Sequence, residues 1–177
     1  MSAISKKICM VGDFGVGKTS LIRRFVERQF NDKYLSTVGV KISRKTVELA
    51  EVKQQDKLSV QLLIWDIEGH TKFKAIAPTY LQGAAGAIIV GDFSRQETLE
   101  RIAEHIQLFL SVNPKGFIVI ALNKADLVDE EKVEKLFFNY QFNDCDRVIQ
   151  TYATSAKTGI HVDELFEKLS HRIVESA

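Results

Sequence analysis

Short apolar runs alternate with amphipathic segments along the whole chain. The runs lie at residues 7–11, 38–49, 58–67, 86–93, 116–123 and 147–153. Residues 86–93 and 116–123 are continuously apolar, which predicts strands covered on both faces, whereas residues 40–49 mix polar and apolar side chains, as an edge strand does. The charged segment AEVKQQDK, residues 50–57, is interpreted as the loop of a hairpin.

Three of the intervening segments carry apolar residues at the spacing of an amphipathic helix. Their predicted core faces are Leu21, Ile22, Phe25 and Val26; Leu99, Ile102, Ile106 and Phe109 or Leu110; and Val162, Leu165, Phe166, Leu169 and Ile173. Alternating strands and helices predict a doubly wound α/β fold. We expect residues 1–177 to form one domain, with a mixed, mostly parallel six-stranded sheet flanked by about five helices. Ligands of such sheets bind at the carboxyl ends of the strands.

The composition is that of a soluble globular protein, since 45% of the residues are hydrophobic and 27% are charged. A formal net charge of +1 without a basic stripe gives no reason to expect a nucleic-acid partner. Two cysteines, Cys9 and Cys145, do not suggest a disulfide framework, and Cys9 lies in an apolar run, where burial is expected. His105, His161 and His171 lie among charged residues and are interpreted as solvated surface side chains.

The segment GDFGVGKT, residues 12–19, follows the first predicted strand and matches the pattern G-x-x-x-x-G-K-[ST]. Its glycines permit a tight loop whose backbone N–H groups turn inward onto phosphate oxygens. Lys18 adds a compact positive charge, Thr19 adds a hydroxyl for magnesium, and the next helix directs its partially positive end at the same anion. The residues expected to bind the nucleotide here are Gly12, Asp13, Phe14, Gly15, Val16, Gly17, Lys18, Thr19 and Ser20.

The stretch LLIWDIEGH, residues 62–70, ends an apolar run in Asp66 and places Gly69 three residues later. A magnesium-bound triphosphate needs a carboxylate from a neighbouring strand end to orient the waters of the metal, and Asp66 is placed to supply it. Gly69 has no side chain, so its backbone N–H can approach the terminal phosphate closely. This short pattern is weak alone and becomes specific only because it follows a phosphate loop.

Two tetrapeptides that follow strands, NKAD at residues 123–126 and TSAK at residues 154–157, indicate the base. The Asp126 carboxylate can accept two parallel hydrogen bonds from the N1–H and the exocyclic amine of guanine. Adenine lacks both donors, and a buried Asp126 left unpaired costs at least about 1–3 kcal/mol. Asn123 is expected to brace the loop, the Lys124 stem to lie over the base, and the Ala156 N–H to reach the guanine carbonyl. The predicted base-binding residues are Asn123, Lys124, Asp126, Ser155, Ala156 and Lys157.

Together these motifs resemble those of small GTPases of the Ras superfamily, most of all the Rab branch, over about residues 7–174. The resemblance implies the P-loop NTPase fold known as the G domain. YLSTVGV, residues 34–40, resembles the first switch and adds Tyr34 and Thr37 to the nucleotide-binding residues, while Phe30 falls where the family stacks an aromatic ring on guanine. WDIEGHTKF is similar to the second-switch motif W-D-T-A-G-Q-E-R-F. The implied magnesium ligands are Thr19, Thr37 and Asp66.

The resemblance also implies a molecular switch that binds GTP and GDP with Mg²⁺, hydrolyses GTP and works in vesicle trafficking or signalling. The implied catalytic residues are Lys18, Thr37, Gly69 and His70. Partners would be effectors that bind the switches around Thr37–Ile42 and Trp65–Tyr80, an exchange factor and a GTPase-activating protein. Trp65 and Tyr80 match two members of the Rab effector-facing aromatic triad, and Ile42 stands where its phenylalanine would be. We expect a cytoplasmic monomer.

Three of the departures from the family pattern bear on GTP hydrolysis. His70 replaces the glutamine that positions the attacking water, and its rigid ring differs in reach from an extended amide. Phe14 replaces a small residue and would crowd both that water and an arginine inserted by an activator. Glu68 replaces an alanine and either adds negative charge near the γ-phosphate or points to solvent. We therefore expect slow GTP hydrolysis.

Two other functions and one difference at the C-terminus stay open at this point. One alternative is a GTP-binding interaction module without turnover, favoured by Phe14 and His70. The other is a phosphate-loop kinase or ATPase, which NKAD argues against. Rab proteins end in a flexible extension with prenylated cysteines, whereas this chain ends HRIVESA. A peripheral membrane location is therefore expected only through a tail missing from this chain or through a partner.

Overall fold

The computed structural model of the protein describes residues 4–32 and 37–177, and for Gln55 the backbone alone. Within these residues, six strands form one sheet: β1 Ile4–Gly12, β2 Val40–Val52, β3 Gln55–Ile67, β4 Gly86–Asp92, β5 Phe117–Asn123 and β6 Val148–Ala153. The strand order is β2-β3-β1-β4-β5-β6. Only β2 and β3 pair antiparallel, while the other neighbours run parallel. This confirms the predicted mixed, mostly parallel sheet with β2 at its edge.

Five α-helices flank the sheet in the same part of the chain: α1 Lys18–Glu27, α2 Gln96–Glu100, α3 Ile102–Val112, α4 Glu130–Asn139 and α5 Val162–Glu175. Short 3₁₀ turns span Pro78–Leu81 and Ala125–Leu127. The sequence pattern missed α4, because none of its residues is fully buried. Its start signal was present, since the Asp129 carboxylate accepts a hydrogen bond from the Lys132 N–H, 2.8 Å away, as an N-cap does. None of the described helices has the length and apolar content needed to cross a bilayer.

The core lies on both faces of the sheet, because successive side chains of a strand point to opposite sides. Ile8 and Met10 pack in one cluster with α1 and α5, whereas Cys9 and Val11 pack in another with α2 and α3. Every residue of β4 and β5 is buried, as their continuous apolar runs predicted. Each fully buried Leu, Ile or Phe side chain contributes about 1.5–3 kcal/mol to folding. This core holds the carboxyl ends of the parallel strands in fixed positions.

The hairpin between β2 and β3 is tighter than the sequence predicted. The expected loop at residues 50–57 is wrong, because the strands continue to Val52 and resume at Gln55. Only Lys53 and Gln54 form the turn, with φ angles of 49° and 65°. Positive φ at both central residues is the geometry that matches the twist of a two-residue hairpin. Val52 is fully buried and anchors the extended ladder.

Thiol labelling checks the burial of Cys9. Its side chain is fully buried, and burial raises the pKa of the thiol to about 12, so little thiolate forms at neutral pH. Cys145 is only half-buried. A disulfide reagent at pH 8 should therefore label Cys145 and spare Cys9 in the folded protein, measured by intact mass. Cys145→Ser is the control and should label only in denaturant; rapid labelling of that folded variant would contradict the packing of β1.

Candidate nucleotide-binding site

A cavity of about 320 Å³ opens at the carboxyl ends of the parallel strands. It is lined by Phe14, Gly15, Gly17, Lys18, Thr19, Ser20, Phe30, Asn31, Asp32, Thr37, Gly69, Asn123, Lys124, Asp126, Leu127, Ala156 and Lys157. Three of the lining residues, Asn31, Asp32 and Leu127, were not predicted from the sequence. Their positions next to Phe30 and Asp126 in the chain were the signal for them. Several predicted site residues adjoin the cavity without lining it: Gly12, Asp13, Val16, Asp66, His70 and Ser155. Tyr34 lies outside the described residues.

The loop between β1 and α1 is built for an anion. Gly17 has a φ of 102°, and a Cβ there would lie 2.3 Å from Asn123 Nδ2, so glycine is required on two grounds. The Lys18 ammonium is buried and donates to the carbonyl oxygens of Gly12 and Asp13 at 3.2 and 2.9 Å. Burial lowers the pKa of Lys18 to about 8. A buried cation at a helix N-terminus is stabilised by an anionic ligand such as phosphate.

Thr19, Thr37 and Asp66, the predicted metal ligands, lie together beside this loop. Asp66 Oδ2 is 2.6 Å from Thr19 Oγ1 and 3.3 Å from Thr37 Oγ1, and the two hydroxyl oxygens are 2.8 Å apart. Asp66 Oδ1 is buried and has no hydrogen-bond partner within residues 4–32 and 37–177. Burial raises the pKa of Asp66, against the hydrogen bond from Thr19 and the charge of Lys18. A divalent cation would satisfy this carboxylate, and hard oxygen ligands suit Mg²⁺.

No cluster of three or more His, Cys, Asp and Glu side chains that could hold a metal occurs in the described part of the chain. The candidate cation site therefore depends on two hydroxyls and one carboxylate. Such a sparse set fits Mg²⁺, which keeps several waters and takes further oxygen ligands from substrate phosphates.

Asn123 and Lys124, at the end of β5, are tied directly to the phosphate loop. The buried Asn123 amide donates to the Val16 carbonyl at 3.0 Å. Lys124 has a φ of 65°, and its ammonium donates to the Gly15 carbonyl at 2.7 Å and pairs with Asp92 at 3.0 Å. The stem of Lys124 thus runs along the cavity wall, and the two ends of the cavity are held by one set of hydrogen bonds.

Asp126 lies exposed at the cavity rim, which differs from the buried position that the sequence analysis assumed. The described residues leave the Asp126 side chain exposed, so only a bound base would shield it from water. Ser155 is buried and its hydroxyl donates to Asp126 Oδ1 at 2.7 Å. Arg24 on α1 donates to the Ala156 carbonyl at 2.7 Å and supports the same loop. No motif singled out Arg24, because its partner lies 132 residues away.

His70 is attached to the back of the phosphate loop and does not line the cavity. Its N–H donates to the Gly12 carbonyl at 3.1 Å, and its carbonyl accepts from the Phe14 N–H at 3.0 Å. Gly69 permits this approach, since a Cβ there would lie 2.6 Å from the Phe14 nitrogen. The ring nitrogen Nδ1 is buried, has no hydrogen-bond partner in the described chain and lies 3.9 Å from Asp13 Oδ1.

His105 is buried, and its interpretation as a solvated surface residue is wrong. Its side chain is 3% exposed, and Nε2 lies 2.8 Å from Asp13 Oδ1. The helical spacing contained the signal, because His105 lies on the same face of α3 as Ile102 and Ile106. His161, in contrast, is exposed as expected, and His171 is half-exposed.

Phe14 and Glu68, the other departures from the family pattern, occupy different surroundings. Phe14 is one of the residues that line the cavity, and it is 40% exposed. Glu68 Oε2 accepts from the Lys74 ammonium at 2.7 Å and from the Gly39 N–H at 3.3 Å. Glu68 thus links the segment of Gly39 to the segment of Lys74.

Apolar side chains are exposed next to the cavity, on the two segments that resemble the switches. Val38 and Phe73 are 84% and 92% exposed, and Ile42 is 48% exposed. Ile42 lies opposite Trp65 in the register of β2 and β3. The Lys7 ammonium lies 3.6 Å above the Trp65 ring and holds that ring in place.

The family model "Ras family" matches residues 7–175. The chain belongs to the Ras family. Among its relatives, human Rab-22A is 38% identical over 170 residues, covering 94% of this chain and 82% of the relative. RABF2b from Arabidopsis thaliana is 34% identical over 181 residues, covering 97% and 82%. The GTP-binding protein ypt5 of Schizosaccharomyces pombe is 34% identical over 172 residues, covering 96% and 78%. The sequence is thus that of a Rab-like small GTPase.

Membership in the Ras family indicates in general terms what the site binds. Ras-family GTPases bind guanine nucleotides, generally with Mg²⁺, and interact with effectors, exchange factors and activating proteins. The sheet order and the loop after β1 are those of the P-loop G domain implied by the sequence. The small-GTPase interpretation is confirmed.

Proposed function

We propose that residues 1–177 form a single small-GTPase domain that binds GTP and GDP with Mg²⁺ and hydrolyses GTP slowly. As a switch, it would regulate partner proteins in vesicle trafficking or signalling. The observation that carries the proposal is the convergence on one cavity of the phosphate loop, the oxygen group around Asp66, and Asp126 with Ser155. This is the set of groups that a magnesium-bound guanine nucleotide requires.

The proposed roles follow from the chemistry of each group. Lys18 and the loop amides hold the phosphates and stabilise charge that develops on them, and the Gly69 N–H reaches the terminal phosphate. Thr19, Thr37 and Asp66 would hold Mg²⁺, which would supply positive charge that offsets the negative charge of the phosphates. In sequence, His70 stands where the family has the glutamine that orients the attacking water, although His70 does not line the cavity.

At the other end of the cavity, Asp126 pairs with the guanine N1–H and amine. The Ala156 N–H meets the guanine carbonyl, and Phe30 and the Lys124 stem cover the ring faces. The hydrogen bond from Asn123 to Val16 fixes the position of these base-binding groups relative to the phosphate loop.

Two observations support the slow rate. Phe14 is one of the residues that line the cavity, and its bulky ring would obstruct an inserted arginine, a group that accelerates hydrolysis by roughly 10³–10⁵ in related GTPases. The His70 ring lies outside the lining. The same two residues favour the second candidate function, a GTP-binding interaction module without turnover. Bound GTP that survives prolonged incubation of the purified protein with Mg²⁺ would identify that module.

The proposed effector surface comprises Val38, Ile42 and Phe73 with Trp65 and Tyr80. Exposed apolar side chains beside loops that contact the nucleotide can transmit its state to a partner. We expect an exchange factor and an activating protein to act on the same switches. The protein is proposed to be a cytoplasmic monomer that reaches membranes through a tail or a partner.

Nucleotide competition tests the proposed function. With Mg²⁺ present, GDP and GTP should bind with micromolar or tighter dissociation constants, whereas ADP and ATP should bind at least about 100-fold more weakly, because adenine leaves Asp126 unpaired. Displacement of a fluorescent GDP analogue measures both. Chelation of Mg²⁺ is the control and should weaken GTP binding. Equal affinity for the adenine nucleotides would point instead to a kinase or ATPase.

A further inference from the structure

Asp13 is a buried carboxylate behind the phosphate loop, and its two oxygens are engaged by Arg101, the residue that precedes α3, and by His105 on α3. Arg101 Nε lies 2.9 Å from Oδ2, and His105 Nε2 lies 2.8 Å from Oδ1. Asp13 is 7% exposed and His105 is 3% exposed, so the cluster is largely shielded from water. A carboxylate with a charge-assisted hydrogen bond to one oxygen and an imidazole hydrogen bond to the other is held in a fixed orientation.

His70 turns its ring towards this carboxylate. Nδ1 of His70 is the buried nitrogen that has no hydrogen-bond partner in the described residues, and Asp13 Oδ1 lies 3.9 Å from it. The His70 and His105 rings meet edge to face, with centroids 6.0 Å apart and an interplanar angle of 74°. Nδ1 is buried, so the 23% of the His70 side chain that is exposed belongs to other atoms of that side chain.

The backbone of His70 reinforces this placement. Residues 13 and 70 form an isolated parallel bridge, through the hydrogen bonds to Gly12 and from Phe14. Main chain and side chain of His70 are therefore both directed at the back of the loop, and the ring stays out of the cavity lining.

We propose that Asp13 is a positioning residue that holds His70 outside the nucleotide cavity, with Arg101 and His105 holding Asp13 in turn. The inference rests on the proposed function and deepens it, because it assigns part of the slow hydrolysis to this cluster. At 3.9 Å the Asp13 carboxylate is too far from Nδ1 of His70 for a direct hydrogen bond, but a carboxylate at this position favours the tautomer of His70 that places its proton on Nδ1. The charge thus selects one tautomer and one ring position.

Asp13→Asn is the variant that releases the ring with little change in size. An asparagine offers one acceptor oxygen, which Arg101 takes, and presents its amide donors to the imidazoles. The Nδ1–H of His70 then faces a donor, so the contact becomes repulsive. A merely structural link between the loop and α3 would lose stability in this variant but would not act through His70.

Single-turnover GTP hydrolysis should separate the two explanations. We expect Asp13→Asn to hydrolyse GTP about three- to tenfold faster than the parent, a small part of the roughly 10²-fold or more that a positioned group contributes. In a His70→Ala background, Asp13→Asn should not accelerate hydrolysis. Glu104→Gln is the matched control, because it removes the charge of an exposed residue on α3. Equal acceleration with and without the His70 ring, or no acceleration, would overturn the proposal.

The ¹⁵N chemical shifts of the histidine rings give a readout that does not depend on turnover. The chain has four histidines, and His70→Ala assigns the His70 signals. We expect the Nδ1–H tautomer for His70 in the parent and its loss in Asp13→Asn, or in His105→Gln should Asp13→Asn not fold. An Nε2–H tautomer in the parent would refute the positioning role even if GTP binding holds. Failure to bind guanine nucleotides would instead refute the proposed function and leave this test valid.

Discussion

Asp126→Asn should weaken GDP binding by about 10²–10³-fold, because a charged acceptor pair becomes one acceptor and one donor. The asparagine amide nitrogen would face the guanine amine, donor against donor. Xanthine carries a carbonyl at that position, so xanthosine diphosphate should bind the variant more tightly than GDP does. Competition against a fluorescent nucleotide measures both affinities.

The surface residue Asp129 provides a matched control for this charge change. Asp129 lies three residues away and caps α4, and asparagine is an equally good N-cap, so Asp129→Asn should keep the affinity and the fold. Unchanged GDP affinity in Asp126→Asn would show that the exposed carboxylate at the cavity rim does not contact the base.

His70→Gln and Phe14→Ser should each increase single-turnover GTP hydrolysis by about tenfold or more, which is part of the roughly 10²–10⁴-fold that a positioned group contributes. The glutamine amide is longer and more flexible than the imidazole, so it can reach a water at the terminal phosphate. Serine at position 14 removes the ring from the cavity lining and also admits an arginine from an activating protein. The double variant should respond most strongly to such an activator.

Phe73→Ser is the control for the loss of a ring, because Phe73 is 92% exposed on the neighbouring segment and does not line the cavity. It should leave the hydrolysis rate unchanged. If neither His70→Gln nor Phe14→Ser is faster than the parent, obstruction is not the reason for slow turnover.

Local patterns were sufficient to predict the sheet and the loops that form the cavity. The continuous apolar runs of β4 and β5 predicted strands that are buried on both faces. The motifs at residues 12–19 and 123–126 come at the ends of strands. Since parallel strands place their carboxyl ends at one edge, the order of these motifs already implied that they meet.

The contacts that the sequence did not predict join residues far apart in the chain. Asp13 and His105 are separated by 92 residues, and Arg24 and Ala156 by 132. No periodicity or spacing specifies such a pair, because it depends on how helices pack across the sheet. The tight hairpin was missed for a related reason, since the burial of Val52 comes from packing against other elements.

The hydrogen bonds from Asn123 to Val16 and from Lys124 to Gly15 make the purine end and the anion end of the cavity one mechanical unit. A ligand that fills either end rigidifies the other, so affinity for the intact molecule exceeds what its two halves would supply separately. By the same linkage, a protein that displaces one of the two loops also displaces the other. Contact with one loop can therefore release the whole ligand.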